Sequence, residues 1–265
     1  MALPDHFAVL FALIYGGHLI AYFGLGAALI WWNRRHPERR IQKDRRGEDR
    51  ASEEIRRSVT SLIPISILMA GGIWLPANGF SIFAPLELTW LNVAIMFALT
   101  ILLYDAWFYW AHRLMHWRPL YRFHRVHHGS LAPTVWSNYS DDPVDASVHE
   151  GFLLIAPLLL PIPPAVLIAH RLLDHVNGQI GHAGFEYFAA PTARSPWPGL
   201  CTTFHDQHHE LFRFNYGNYF SWWDRWMGTL HPTYDRRVEA METGELPESS
   251  RQPRPSRPAQ PSAAE

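Results

Sequence analysis

The sequence predicts an all-α integral membrane protein, a bundle of transmembrane helices with a cytoplasmic helical cap that holds a histidine-rich di-metal site. Three observations lead to this fold class. Long apolar segments lack charged residues, the segments between them differ sharply in basic residues, and 16 histidines occur among 265 residues. The mean hydropathy of −0.12 averages over these unlike segments and does not indicate a soluble protein.

Three segments are long and apolar enough to cross a bilayer, which takes about 20 apolar residues. Residues 7–32 contain no Asp, Glu, Lys or Arg over 26 positions. Residues 59–75 form a second candidate, interrupted by one proline and two glycines, and residues 89–110 form a third, charged only at Asp105. Because residues 1–6 lack the basic residues of a signal peptide, we expect the first segment to be retained as a helix.

Basic residues are distributed unevenly between these segments. Ten Lys or Arg residues lie within residues 33–58, and none lies within residues 76–88. The positive-inside rule therefore places the basic loop in the cytoplasm. The end of the third segment then faces the cytoplasm too. We expect an integral membrane protein with a cytoplasmic active site, located in a bacterial inner membrane.

The rest of the chain shows two further patterns. Residues 146–160 and 165–180 are apolar and flank a proline-rich turn, which predicts a hairpin that dips into the membrane and returns. Residues 242–265 are rich in Pro, Ser, Ala and Glu and contain almost no large apolar side chain. We expect this last segment to be a disordered tail.

Eight histidines form three compact clusters, and two more lie between the second and third. Positions i, i+3 and i+4 share one face of a helix, so an H-x-x-H-H sequence directs imidazoles towards one point. One octahedral ion takes at most six ligands, and the ten candidate histidines exceed that number. The sequence therefore predicts two metal ions. The candidate ligands are His112 and His116, then His124, His127 and His128, then His175 and His182, and finally His205, His208 and His209.

The types of ligand narrow the chemistry. Imidazole suits iron, zinc, copper and nickel, so it does not choose the metal. No Glu-x-x-His spacing is present, which excludes a soluble di-iron carboxylate bundle, and no H-E-x-x-H is present, which argues against a zincin protease. The single cysteine, Cys201, excludes an iron–sulfur cluster, and a net charge of −1 gives no reason to expect nucleic acid as a partner.

Three carboxylates are candidates for orienting the ligands, since a metal-bound imidazole usually donates its other N–H to a carboxylate or carbonyl. Asp105 lies seven residues before His112 on the same helical stripe. Asp206 and Glu210 flank the third cluster.

Several ordered motifs carry a family resemblance. They are Y-D-x4-W-x-H-R-x2-H and Y-R-F-H-R-V-H-H within residues 104–128, G-H-x-G-F-E at 181–186, T-x-H-x2-H-H at 203–209, then N-Y-G, W-D-R and G-T between 215 and 229. Over roughly residues 90–232 the chain resembles the fatty acid hydroxylase/sterol desaturase superfamily. One departure is Asp142-Pro143, where many members have His-Pro.

The resemblance implies a membrane-bound non-haem di-iron oxygenase. Its substrate would be a lipid of fatty acyl, sterol or sphingolipid type, hydroxylated or desaturated with O2 and two electrons from a ferredoxin or a b-type cytochrome with its reductase. Zinc can replace iron in preparations. The eight clustered histidines match the family's ligands and His182 matches its additional histidine, whereas His175 is supported by helical phase alone.

On this interpretation residues 1–75 are N-terminal transmembrane helices with a basic loop, and residues 86–235 are the catalytic domain. Two other functions stay open, and a third, a zinc-dependent membrane hydrolase, is disfavoured because no catalytic acid lies beside a ligand. The chain could be a carotenoid hydroxylase, or a membrane metal-binding protein that performs no oxygen chemistry.

Overall fold

The computed structural model describes residues 6–244. Within this range the chain forms ten α-helices and short 3-10 turns, with no β-strand among the described residues. The all-α prediction is confirmed. Most of the predicted tail, from residue 245 onward, lies outside the described residues, and residues 242–243 end the last helix.

Three long helices correspond to the three predicted membrane segments: α1 (Phe7–Asn33), α2 (Ala51–Ala77) and α3 (Trp90–Met115). All three are long and apolar enough to span a bilayer. Helix α2 begins eight residues before the predicted segment. Its first two turns contain charged residues, so apolar patterning does not include them in the predicted segment. Glu and Arg are nevertheless good helix formers, and the helix extends through them.

The predicted hairpin is present but is divided into three helices: α5 (Pro143–Glu150), α6 (Phe152–Leu159) and α7 (Pro164–Gly181). Helix α6 packs directly on α2. A side chain at Gly72 would place its Cβ 1.9 Å from the carbonyl oxygen of Leu153, so only glycine permits this approach. Buried side chains of α1, α2, α3 and the hairpin form one continuous apolar core.

The outer faces of the long helices remain strongly apolar. Leu13 and Ile20 of α1 and Leu91 of α3 each expose more than 60% of their surface. Helices that are apolar on every side are typical of a bilayer environment. Exposed tryptophans lie near both ends of α3, Trp90 at its start and Trp117 just after its end, as in the aromatic belts of membrane proteins.

Four shorter helices form a cap at the end of α3: α4 (Tyr121–His124), α8 (Thr202–Leu211), α9 (Trp222–Trp226) and α10 (Tyr234–Thr243). A small apolar core that contains Phe204, Tyr234 and Val238 joins α8 to α10. The cap therefore places the third histidine cluster, on α8, opposite the first cluster at the end of α3.

Candidate metal centre

The histidines gather into two separate groups at the junction between the bundle and the cap. Within each group the candidate ligand atoms lie within 4.8 Å of one another. The first group contains His112, His116, His124, His128 and His208. The second group contains His127, His182, His205 and His209. Five and four imidazoles match the number needed for two metal ions.

In the first group the Nε2 atoms point to a common centre. His116 Nε2 lies 3.1 Å from His128 Nε2 and 3.3 Å from His208 Nε2, and the last two atoms are 3.1 Å apart. The Nε2 atoms of His112 and His124 are buried and have no hydrogen-bond partner in the described part of the chain.

The second group has the same arrangement around His182 and His205. His182 Nε2 lies 3.1 Å from His127 Nε2 and 2.8 Å from His205 Nε2, and His209 Nε2 lies 3.1 Å from His205 Nε2. A neutral imidazole carries one N–H, so a ring that has already donated through Nδ1 offers only a lone pair at Nε2. Such lone pairs cannot satisfy one another.

These separations fit a bound metal ion. With metal–nitrogen bonds of about 2.0–2.1 Å, neighbouring ligand nitrogens lie roughly 3 Å apart in octahedral and tetrahedral sites. The observed separations of 2.8–3.3 Å fall in this range. The unpartnered Nε2 atoms of His112 and His124 also indicate a bound metal ion, because buried polar atoms are nearly always paired. The residues present therefore fit two metal ions.

Hydrogen bonds at Nδ1 fix several rings in orientation. His112 donates to the Tyr216 carbonyl at 3.0 Å, His208 to the Phe214 carbonyl at 2.6 Å, and His182 to the Gly178 carbonyl at 2.7 Å. Each bond assigns the proton to Nδ1 and leaves Nε2 free to bind a metal.

Burial also keeps the ligands in the neutral form that binds metals. Loss of solvent, together with neighbouring histidines, holds the pKa of His205, His208 and His209 well below the usual range. The same causes lower the pKa of His182 to about 3. These imidazoles are consequently unprotonated at neutral pH.

The sequence prediction did not find the carboxylates that contact the ligands. His124 Nδ1 donates to Asp145 Oδ2 at 2.8 Å, and His127 Nδ1 lies 2.7 Å from Asp141 Oδ1. Both acids lie beside Asp142-Pro143, where the sequence departs from the family pattern. The three aspartates within residues 141–145 are the feature from which these orienting carboxylates could have been predicted. Asp145 also lies 3.1 Å from His149, which makes a third group with His124. Because His124 uses Nδ1 there, we assign Asp145 an orienting role.

The three carboxylates predicted to orient ligands lie elsewhere. Asp105 accepts hydrogen bonds from the amides of Tyr219 and Phe220 and from the indole of Trp222. Asp206 accepts from Gln42, and Glu210 from Arg237. No hydrogen bond joins any of the three to a ligand histidine in residues 6–244.

His175 is not brought into either group. Its Nδ1 is 2.9 Å from the hydroxyl of Tyr139, and its ring stacks on His18. Helical phase puts His175 and His182 on the same side of α7, but the seven residues between these positions correspond to about 10 Å along the helix axis. His182 caps the end of that helix and reaches the second group alone.

The third histidine cluster lies on a single helix, as its spacing predicts, whereas the second cluster does not. His205, His208 and His209 lie on α8. In the second cluster, His124 ends α4, and His127 and His128 begin a 3-10 turn. That break lets the second cluster divide between the two metal groups.

Comparison with known proteins identifies the family. The model of the fatty acid hydroxylase family matches residues 97–229, which is half of the chain and includes every residue of both groups. The chain belongs to the fatty acid hydroxylase family. The predicted resemblance is confirmed.

Several curated relatives of this chain are sterol enzymes. The chain is 31% identical to rat (Rattus norvegicus) lathosterol oxidase over 193 residues, 70% of this chain and 63% of the relative. It is 33% identical to methylsterol monooxygenase erg25A of Aspergillus fumigatus over 136 residues, 49% of this chain and 44% of the relative. The chain thus spans less than two thirds of the length of these relatives. No solved structure matches it.

Proposed function

We propose that the chain is a membrane-bound non-haem di-iron oxygenase that hydroxylates or desaturates a lipid. The observation that carries this proposal is the pair of adjacent histidine groups, five and four imidazoles, of which five rings line one cavity, two from the first group and three from the second. Family membership supports iron as the metal, since imidazole alone does not choose among the transition metals.

The metals, the histidines and the cavity have different roles in the proposed reaction. Two irons, when bound, supply the activation of O2 needed to attack an unactivated C–H bond, which no side chain can provide. Nine histidines would hold the metals, and carbonyls or carboxylates at Nδ1 orient five of the rings, those of His112, His124, His127, His182 and His208. The surrounding cavity excludes bulk water and orients the lipid. Hydroxylation then consumes one O2, two electrons and two protons and releases one water.

A lipid substrate agrees with the position of the cavity and with the names of the relatives. The ligand groups lie where membrane helices meet the cap, so an apolar substrate can enter from the bilayer. The relatives act on lathosterol and methylsterols by name, which favours a sterol-type lipid over the fatty acyl and sphingolipid alternatives.

We place this centre on the cytoplasmic side, because ten basic residues lie within residues 33–58, eight of them between α1 and α2 and two in the first turns of α2. The sequence has no flavin or nicotinamide fingerprint, so the two electrons come from a separate donor such as a ferredoxin or a b-type cytochrome. A bacterial inner membrane remains our prediction for the location.

The test is lipid mass spectrometry of a host that expresses the wild-type chain or His208→Ala. We expect lipids that gain one oxygen or lose two hydrogens with the wild type alone. Oxygenated carotenoids would favour the carotenoid hydroxylase alternative. Identical lipid profiles, with metal bound to the wild type, would favour a metal-binding protein without oxygen chemistry.

A further inference from the structure

A cavity of about 260 Å3 opens beside the metal groups. Its metal-facing end is formed by ligands that include His112 and His205. Apolar side chains such as Ile65 and Phe108 form much of its wall, and the carboxylates of Glu150 and Asp174 lie on it too. A carboxylate on the wall of an apolar lipid cavity requires an explanation, because burying such a group is unfavourable unless it is paired.

A buried arginine holds both carboxylates in place. Arg171 exposes 2% of its surface, and its Nη1 donates to Glu150 Oε1 at 2.9 Å and to Asp174 Oδ2 at 2.7 Å. The remaining guanidinium nitrogens are also bound, Nε to His18 and Nη2 to the Tyr139 hydroxyl. The two carboxylates therefore have fixed positions before any substrate arrives.

The two carboxylates differ in one respect. Asp174 also accepts from Asn218 at 2.9 Å, from Tyr219 at 3.1 Å and from Tyr104 at 3.3 Å, so both of its oxygens are occupied. Glu150 exposes 6% of its surface, and its Oε2 has no hydrogen-bond partner within 3.5 Å among the described residues. The nearby Tyr104 hydroxyl interacts with the Glu150 carboxylate, but its single proton is directed to Asp174.

A buried carboxylate oxygen of a residue on a cavity wall is a strong acceptor, and Glu150 Oε2 lacks a donor at normal hydrogen-bond distance. We propose that Glu150 is the anchor for a hydroxyl group of the lipid, which donates to Oε2 while the apolar body lies along the cavity wall beside the metal-binding histidines. The inference rests on the proposed function and narrows its substrate class to lipid alcohols, of which sterols are one kind.

Chemistry favours a hydroxyl group over the other donors that a lipid can carry. An ammonium group would have to lose its hydration in the cavity, where Arg171 already places one buried cation beside both carboxylates. A ketone at the same position offers only an acceptor and would face the carboxylate oxygen without a hydrogen bond. The site should therefore prefer an alcohol to the matched ketone and to the deoxy compound.

The test measures binding of four probes to the metal-loaded full chain in nanodiscs: lathosterol and its 3-keto, 3-deoxy and 3-amino analogues. We expect the wild type to bind the alcohol about 10- to 100-fold more tightly than the ketone or the deoxy compound. Glu150→Gln should reverse the preference between alcohol and ketone, since an amide N–H now donates to the ketone oxygen.

Asp174→Asn is the matched control, because that carboxylate is already saturated, and it should leave the alcohol-to-ketone ratio unchanged. Equal binding of alcohol, ketone and deoxy compound, tighter binding of the amine, or no binding of the alcohol to the wild type would each overturn the proposal. Failure of the oxygenase function is distinguishable, because the iron-loaded protein would then oxidise no lipid at all.

Discussion

His124 and Asp145 form a buried pair in which the imidazole Nδ1 donates to the carboxylate at 2.8 Å. The side chains are 2% and 1% exposed. Four residues earlier, Asp141 contacts His127 of the second group. A single short segment of chain therefore supports one histidine of each metal group, and it couples the two sites to the start of α5.

Asp145→Asn should weaken metal binding by about 10- to 100-fold, because the imidazole loses the charge that raises its basicity and fixes its orientation. Competition with a chromophoric chelator measures this affinity. Asp142→Asn is the matched control, since Asp142 caps α5 through the Val144 amide and asparagine caps helices equally well. Equal affinities in Asp145→Asn and the wild type would contradict the orienting role.

Ligand substitutions should separate the two metal groups. We expect His208→Ala to lose the metal of the first group and His205→Ala that of the second, so each variant retains about one ion per chain and no activity. His175→Gln should keep both ions, because His175 lies apart from both groups. Metal analysis of the three variants measures the number of ions per chain. Loss of an ion from His175→Gln would show that His175 is a ligand after all.

Asp105→Asn should affect stability more than metal content. The carboxylate holds the Tyr219 and Phe220 amides and the Trp222 indole, and hydrogen bonds to a charged group contribute about 1.5–3 kcal/mol each. Thermal unfolding in detergent should show a lower midpoint with two ions still bound. An unchanged midpoint accompanied by loss of metal would instead support the original prediction that Asp105 orients a ligand.

The metal-free protein should lose stability in mild acid. Burial and neighbouring histidines lower the pKa of His205, His208 and His209 in the folded state, whereas the unfolded value is about 6.5. The unfolded chain thus binds more protons below that pH, which disfavours folding by about 1.4 kcal/mol per such histidine at pH 5.5.

Thermal midpoints of chelator-treated protein between pH 7.5 and 5.0 measure this dependence. The midpoint should be nearly constant above pH 6.5 and fall below it. His208→Gln should show a shallower fall, because one of the shifted groups is gone. A midpoint that rises in acid would show that the histidines are protonated in the folded state.

The sequence predicted the membrane segments and the three histidine clusters because both are local patterns. Hydrophobic length defines α1 and α3 without reference to other elements, and the histidine spacing is visible within five residues. The division of the second cluster between two metal groups was not predictable, because it depends on the break between α4 and the following 3-10 turn.

The orienting groups were harder to predict for the same physical reason. His112 and His208 donate to the backbone carbonyls of Tyr216 and Phe214, and every residue has such a carbonyl. Asp145 lies 21 residues from His124 along the chain. Contacts of this kind arise from the packing of the cap on the bundle, which no local pattern encodes.

The most direct test of the central claim is the metal content of wild-type protein reconstituted with ferrous iron under anaerobic conditions. Iron and zinc are measured together by mass spectrometry against protein concentration. We expect two irons per chain. Saturation at one ion, or retention of zinc with no iron, would contradict it.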